Sequence, residues 1–355
     1  MLLIWVPMNA LKRRLNRGWL FALLFSPVSS LIAQQANHTQ EIHLIFYNTE
    51  NFFDLRNDSL TQDDEFSHGA ARGWNKVRFE KKRNDLARTI LASCGYSPPA
   101  IVGLAEVENR YVLETLTGDG PLAGVNYRVI HKDSPDDRGI DLAVLYRSDL
   151  VRPFRYDCIP LRDSEGKIMS TREIVYAAFI TTTGDTLHVV FNHWPSRYRG
   201  QAETEPERMT AALTLRQFLD GLLASSVPRY IVIMGDFNDQ PGNRSLTEGL
   251  GARGAGTAGR PGEILNLSAG WKSGGTLKYR QSWQIFDQIL ISGYLLDQGP
   301  VQTKPEWAAI VSLPFLLEKD PAFKGTRPFR TYLGYRYHGG ISDHLPVRLK
   351  ILLRH

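Results

Sequence analysis

Residues 230–239 read Tyr-Ile-Val-Ile-Met-Gly-Asp-Phe-Asn-Asp. Five consecutive apolar residues, three of them β-branched, read as a short strand buried on both faces. It ends on Asp236, Asn238 and Asp239, which puts an acid, an amide and a second acid where a buried strand reaches the rim of its sheet. The juxtaposition recurs along the chain. Apolar residues 42–47 run into Asn48-Thr49-Glu50-Asn51, residues 100–105 into Glu106-Val107-Glu108-Asn109, and residues 187–191 into Asn192-His193-Trp194-Pro195. Ser342-Asp343-His344-Leu345-Pro346 precedes the last apolar run, 347–353. Polar side chains of ligand and acid/base type at the ends of five strands are expected to converge on one rim, where enzymes commonly place their active sites.

The intervening pattern predicts helices over 77–93 and 204–224 and further strands over 127–131, 142–146, 173–181 and 283–291. Helices and strands alternate at first and strands then cluster, so the class is α/β with mixed sheets. At 43% hydrophobic and 10% aromatic residues, without repeats, residues 34–355 hold enough apolar material for one domain. Residues 251–262 and 295–335 read as loops inserted over a rigid core.

The first 33 residues have a different character. Lys12-Arg13-Arg14 and Arg17 precede an apolar run at 19–25 and then small residues, with no acid anywhere in the segment. This is the three-part layout of a secretory signal peptide, and its apolar core is too short to span a bilayer. Export is therefore expected, with cleavage after Ser30 or Ala33 and no stable membrane anchor. The whole chain carries 42 Lys and Arg against 37 Asp and Glu, and four of the basic groups lie in residues 1–33, leaving 38 against 37. So near-neutral a balance supplies no long-range attraction for a polyanion, and any affinity for nucleic acid must come from local patches. Cys94 and Cys158 could pair in an oxidising compartment or stay buried and free.

Taken together and in order, the five rim segments resemble the endonuclease/exonuclease/phosphatase superfamily, which includes secreted deoxyribonucleases, apurinic endonucleases, neutral sphingomyelinases and inositol-polyphosphate phosphatases. The resemblance runs from Phe46 to about Leu353. It implies a four-layer sandwich, two mixed β-sheets face to face with helices on the outer faces, and a monomeric hydrolase of phosphoric esters. By the same resemblance Asn48 and Glu106 are metal-side ligands, Asp343 is a further acidic ligand, and Asp236 and Asn238 orient the attacking water and the phosphate. His344 stands beside the scissile phosphate, held by Asp287, and His193 matches a second histidine of the secreted deoxyribonucleases and sphingomyelinases.

The chemistry requires these types. Oxygen donors favour a hard ion, Mg²⁺ or Mn²⁺ with Ca²⁺ as a possible second, over zinc or copper. A phosphodiester repels nucleophiles, and a divalent ion on its oxygens supplies charge stabilisation that grows toward the transition state. An imidazole helps only in a fixed tautomer, and Asp141 is the carboxylate expected to fix His193. Glu50 and Glu108 are read as structural, and His43, His131, His188 and His338 as uninvolved. Two Arg and Tyr patches, 327–337 and Arg197-Tyr198-Arg199, could stack bases and pair phosphates. Residues 310–317 are an apolar candidate for contact with a lipid substrate. The expected substrate is a phosphodiester in nucleic acid or nucleotides, with a lipid diester or an inositol phosphate as the alternative.

Overall fold

Side-chain alternation along β1 (Thr39–Phe52) sets the layering in the computed structural model, which describes residues 39–354 apart from 68, 96, 255–259, 261 and 273. Ile42, Leu44 and Phe46 share one face and pack with Val189, Phe191, Val232, Met234, Ile289 and Ile291. Ile45 and Tyr47 face the other way, against Leu86, Ile90, Leu113 and Leu116. Those four come from α1 (Lys76–Ala92) and α2 (Arg110–Gly118), whose first turns are capped by the side chains of Asn75 and Asn109.

β1 pairs in parallel with β2 (Ile101–Val107), and β2 pairs antiparallel with β4 (Asp141–Arg147), which carries β3 (Tyr127–His131) on its far edge. The C-terminal strand Val347–Arg354 closes the other side of β1, antiparallel, and bears the short strands Val301–Gln302 and Ala308–Ile310. The second sheet runs β5 (Val151–Ile159), β6 (Ile174–Thr181), β7 (Thr186–His193), β8 (Tyr230–Asp236), then Asp287–Ser292, Ile264–Asn266 and Arg253–Gly254. Only the pairs β7–β8 and 264–266 with 253–254 are parallel in it. Its outer face packs Val190, Ile231 and Ile233 under Ala211, Leu215 and Leu219 of α3 (Gln201–Leu223). The result is the expected helix, sheet, sheet, helix sandwich. Between the sheets, a Cβ on Gly103 would lie 2.2 Å from the Phe191 ring, so no larger residue fits opposite that phenyl group.

Three sequence expectations change. The strand expected over 283–291 is two elements: Ser282–Gln284 hairpins with Leu277–Tyr279, and a new strand begins at Asp287. β5 escaped notice because it is an edge strand with exposed Phe154 and Tyr156 and an internal Pro153 that breaks the apolar alternation. Residues 295–335 carry short strands of their own, including Leu317–Lys319 paired with Thr326–Pro328. Both cysteines are free thiols, and burial pushes Cys94 up to about 12. Among the described residues no helix is long and apolar enough to cross a membrane. Residues 1–33, expected to be a signal peptide, lie outside the described residues.

Candidate active site

Parallel pairing places the ends of β1 and β2 side by side, and likewise those of β7 and β8, and the two pairs open on the same edge of the sandwich. Asn48 pairs in register with Ala105 beside Glu106, and His193 pairs with Asp236. Asp287 starts its strand directly opposite Asp236. The backbone is unusual here: Glu50, Asn51, Glu106 and Asn238 take φ of 52°, 60°, 60° and 49°, in the left-handed region. Such conformations are costly for non-glycine residues and persist where the surroundings hold them, characteristically at functional sites.

Asp236 is the centre of the cluster. Its Oδ1 accepts from the Asn238 amide at 2.9 Å and its Oδ2 from Asn48 Nδ2 at 3.1 Å. The same Asn48 Nδ2 donates to Glu106 Oε1 at 3.3 Å, and the Asn51 amide donates to Glu106 Oε2 at 3.0 Å. Burial raises Asp236 to about 6, against the opposing pull of His344. His344 and His193 each bring Nε2 to 3.8 Å from Asp236 Oδ2.

The two imidazoles differ in their support. His344 Nδ1 lies 2.7 Å from Asp287 Oδ2, and its backbone is tied through the Ser342 hydroxyl, which accepts from the His344 amide and donates to the Asn48 carbonyl. Burial disfavours the charged ring, but the carboxylates of Asp287 and Asp236 outweigh it, so His344 is held well above the ordinary histidine range. His193 has no such partner. Its Nδ1 is buried without a hydrogen bond, its Nε2 stands 3.9 Å from Glu106 Oε1, and burial reinforced by Arg172 and Arg138 drives it well below the ordinary range.

Asp141 is not the partner of His193. Its carboxylate takes His131 Nε2 at 3.0 Å and the Ser134 amide at 2.8 Å. β3 and β4 are hairpin neighbours, so His131, ten residues earlier, reaches Asp141 first. Asp343 is also engaged, accepting from Arg330 Nη2 at 2.7 Å, which sets it in an ion pair beside the cluster. Glu50 is engaged internally: its carboxylate accepts from the Thr331 and Tyr332 amides and meets Arg330. Glu108 likewise accepts from the Asp54 amide.

Two arginines and a lysine went unnoticed in the sequence. Arg138 Nη2 donates to Asn51 Oδ1 at 2.5 Å, which brings a guanidinium to the lip beside Glu106. Arg172, buried, ties Asp136 to the Trp194 carbonyl at 2.9 and 2.8 Å and so braces the loop that carries Arg138. Arg138 opens the turn into β4 at Gly139 (φ 67°), a strand-end position of the kind that flagged the acids. Lys82, fully buried on α1, donates to the Glu50 carbonyl, Thr331 Oγ1 and the Ile341 carbonyl, pinning the helix beneath the site. No local pattern marks a lysine that faces inward.

Tyrosines of the 327–337 patch carry internal contacts, with Arg72 stacked on Phe66, Tyr332 and Tyr335 at 4.9–5.2 Å and Arg78 on Tyr337 at 4.2 Å, while Tyr335 stays 63% exposed. In residues 310–317, Val311 and Leu316 are buried in the core with α1 and α2, Ile310, Leu313, Phe315 and Leu317 are partly buried against it, and Ser312 and Pro314 are exposed.

A divalent cation fits this rim. Glu106 Oε1 and Asp236 Oδ2 converge on one amide without a Lys or Arg hydrogen bond to either, and Asp236, Asp287 and His344 offer ligand atoms within 4.8 Å of one another. The donors are mainly hard oxygens.

The family model described as "Endonuclease/Exonuclease/phosphatase family" matches residues 43–353. The chain belongs to that family. No curated protein sequence matches the chain. Among solved structures it is similar to an endonuclease/exonuclease/phosphatase family protein from Bacteroides thetaiotaomicron, with 14% identity and TM-score 0.55 over 90% of this chain and 97% of that one. It is also similar to D. rerio TDP2 complexed with single strand DNA product, with 15% identity and TM-score 0.53 over 88% and 98%. The B. thetaiotaomicron mannosyl-6-phosphatase Bt3783 is similar at 15% identity and TM-score 0.55 over 87% and 99%. At these identities the likenesses show a shared fold.

Proposed function

We propose that the protein is an exported, monomeric, divalent-metal-dependent phosphodiesterase that hydrolyses nucleic acid or nucleotides by in-line attack of water. The observation that carries this reading is the convergence of Asn48, His193 and His344 on Asp236 Oδ2, with His344 braced by Asp287. A divalent ion held by Glu106 would supply charge stabilisation to the phosphate oxygens, with Asn48 Nδ2 hydrogen-bonded between Glu106 and Asp236. Asp236, raised to about 6, is ionised above that pH and accepts the proton of the attacking water. His344, kept cationic by Asp287, donates to a phosphate oxygen or to the departing alkoxide, and neutral His193 offers a single N–H donor on the same side. Arg138 adds a cation at the lip.

The TDP2 relative with its DNA product supports a diester of nucleic acid, and the packing of Val311 and Leu316 into the core argues against residues 310–317 as a lipid contact. The test is a panel of plasmid DNA, RNA, sphingomyelin, inositol phosphates and mannose 6-phosphate with purified protein and Mg²⁺ or Mn²⁺. The reading requires cleavage of a nucleic acid or, with a dinucleotide added to the panel, of a nucleotide diester; hydrolysis confined to the monoesters or to sphingomyelin refutes it. Export is checked by N-terminal sequencing: a mature terminus between Val28 and Asn37 supports it, and an intact Met1 or Met8 on cytosolic protein refutes it.

A further inference from the structure

Beside Asn238 the rim opens into a cleft of about 830 Å³ between the loop after β7 and the hairpin 277–284. The hairpin is fastened to the site, because Leu277 forms a β-bridge with His344. The cleft therefore starts where a phosphate held by Asn238 and His344 would direct one of its ester groups. Its edges carry two aromatic rings facing solvent, Tyr198 at 96% and Tyr279 at 62% exposure. Among the described residues neither ring stacks on another ring, in contrast to Tyr332 and Tyr337, and the Arg280 guanidinium lies 5.3 Å from the centre of the Tyr279 ring. The floor is Phe286, with the Arg197 guanidinium over its face at 4.8 Å. Arg197 is fixed in place by Asp239, Asn243 and the Asn238 carbonyl. Gln284 spends its Oε1 on Gln240 Nε2, which leaves its own amide N–H groups to point at a ligand.

We infer that this cleft binds the nucleoside of a nucleotide or nucleic-acid substrate, a planar base stacking on Tyr198 and Tyr279 while Gln284 donates to a carbonyl on its edge. The inference rests on the phosphodiesterase reading and adds to it the group recognised. An exposed aromatic side chain has an apolar face to cover, and a base covers it at little conformational cost because both partners are rigid and flat. The rigid Arg197–Phe286 floor leaves the two tyrosines as the adaptable part.

The experiment compares binding of thymidine 5′-monophosphate and 2-deoxyribose 5-phosphate, which differ only in the base, to the full purified protein with Mg²⁺ by calorimetry. Thymidine monophosphate should bind at least about tenfold tighter, the scale of one base stack, and Tyr198→Ala or Tyr279→Ala should each remove most of that difference. Tyr198→Phe, which keeps the ring, should retain it. Equal binding of the two ligands, binding of neither, an Ala pair that leaves the difference intact, or tighter binding of mannose 6-phosphate overturns the inference. Turnover of bis(p-nitrophenyl)phosphate measured alongside separates the two claims. Base-dependent binding without turnover upholds the cleft and sinks the hydrolase; turnover without base-dependent binding does the reverse.

Discussion

His193 and His344 approach one carboxylate at the same distance yet are held in opposite charge states, because only His344 has an acid of its own. If Asp287 acts through that ring, Asp287→Asn and His344→Ala should each lower turnover by about a hundredfold. The double variant should be no worse than the poorer single one, since the pair works as a unit. Additive losses in steady-state kinetics would show that Asp287 acts elsewhere. Asp141→Asn should cost less than about tenfold, because its partner is His131; a loss matching that of His193→Ala would contradict this. The His344 pair was legible because both residues sit in motifs at strand ends. The Asp141 pairing was not, because which histidine reaches it depends on the register of β3 against β4, and a one-residue slip exchanges the faces of a strand.

At the scale of elements, β6 and β7 share a buried polar contact far from the chemistry. The Tyr176 hydroxyl and His188 Nδ1 share a hydrogen bond at 2.8 Å with the rings stacked, and burial, reinforced by Arg229 and Arg155, lowers His188 to about 4. An unfolded histidine titrates near 6.5, so between pH 6.5 and 4 the unfolded chain takes up a proton that the folded one refuses. Stability from this residue is thus full above pH 6.5 and is lost as pH falls through that window. His188→Phe keeps a ring against Tyr176 and removes the titration. Urea unfolding at pH 7 and pH 5 should show the wild type losing about 1–2 kcal/mol more than the variant, and equal losses would contradict the buried neutral state. Strands with an unbroken apolar run, such as β4 and β8, were readable from sequence nearly to the residue. β5 and the split at Ile285–Phe286 were not, because edge exposure and a hairpin insertion leave no periodic signal.

The whole molecule brings together, at one edge of two facing sheets, side chains that lie up to 296 residues apart, from Asn48 to His344. The rim was legible because five buried strands end in polar residues, and the two-sheet sandwich followed from the family resemblance those segments carry. The cleft beside Asn238 and the internal use of the 327–337 tyrosines were not, since both depend on how long loops fold over the rim. The central claim is that this rim hydrolyses a phosphodiester with a divalent ion held chiefly by Glu106. Turnover of bis(p-nitrophenyl)phosphate by purified protein, measured before chelation, after EDTA and after adding back Mg²⁺ or Mn²⁺, tests it most directly, with Glu106→Gln run in parallel. The account predicts turnover that EDTA abolishes and the ion restores, and a Glu106→Gln enzyme that needs more ion for half-maximal rate. Full turnover after exhaustive chelation, or none under any metal condition, would contradict it.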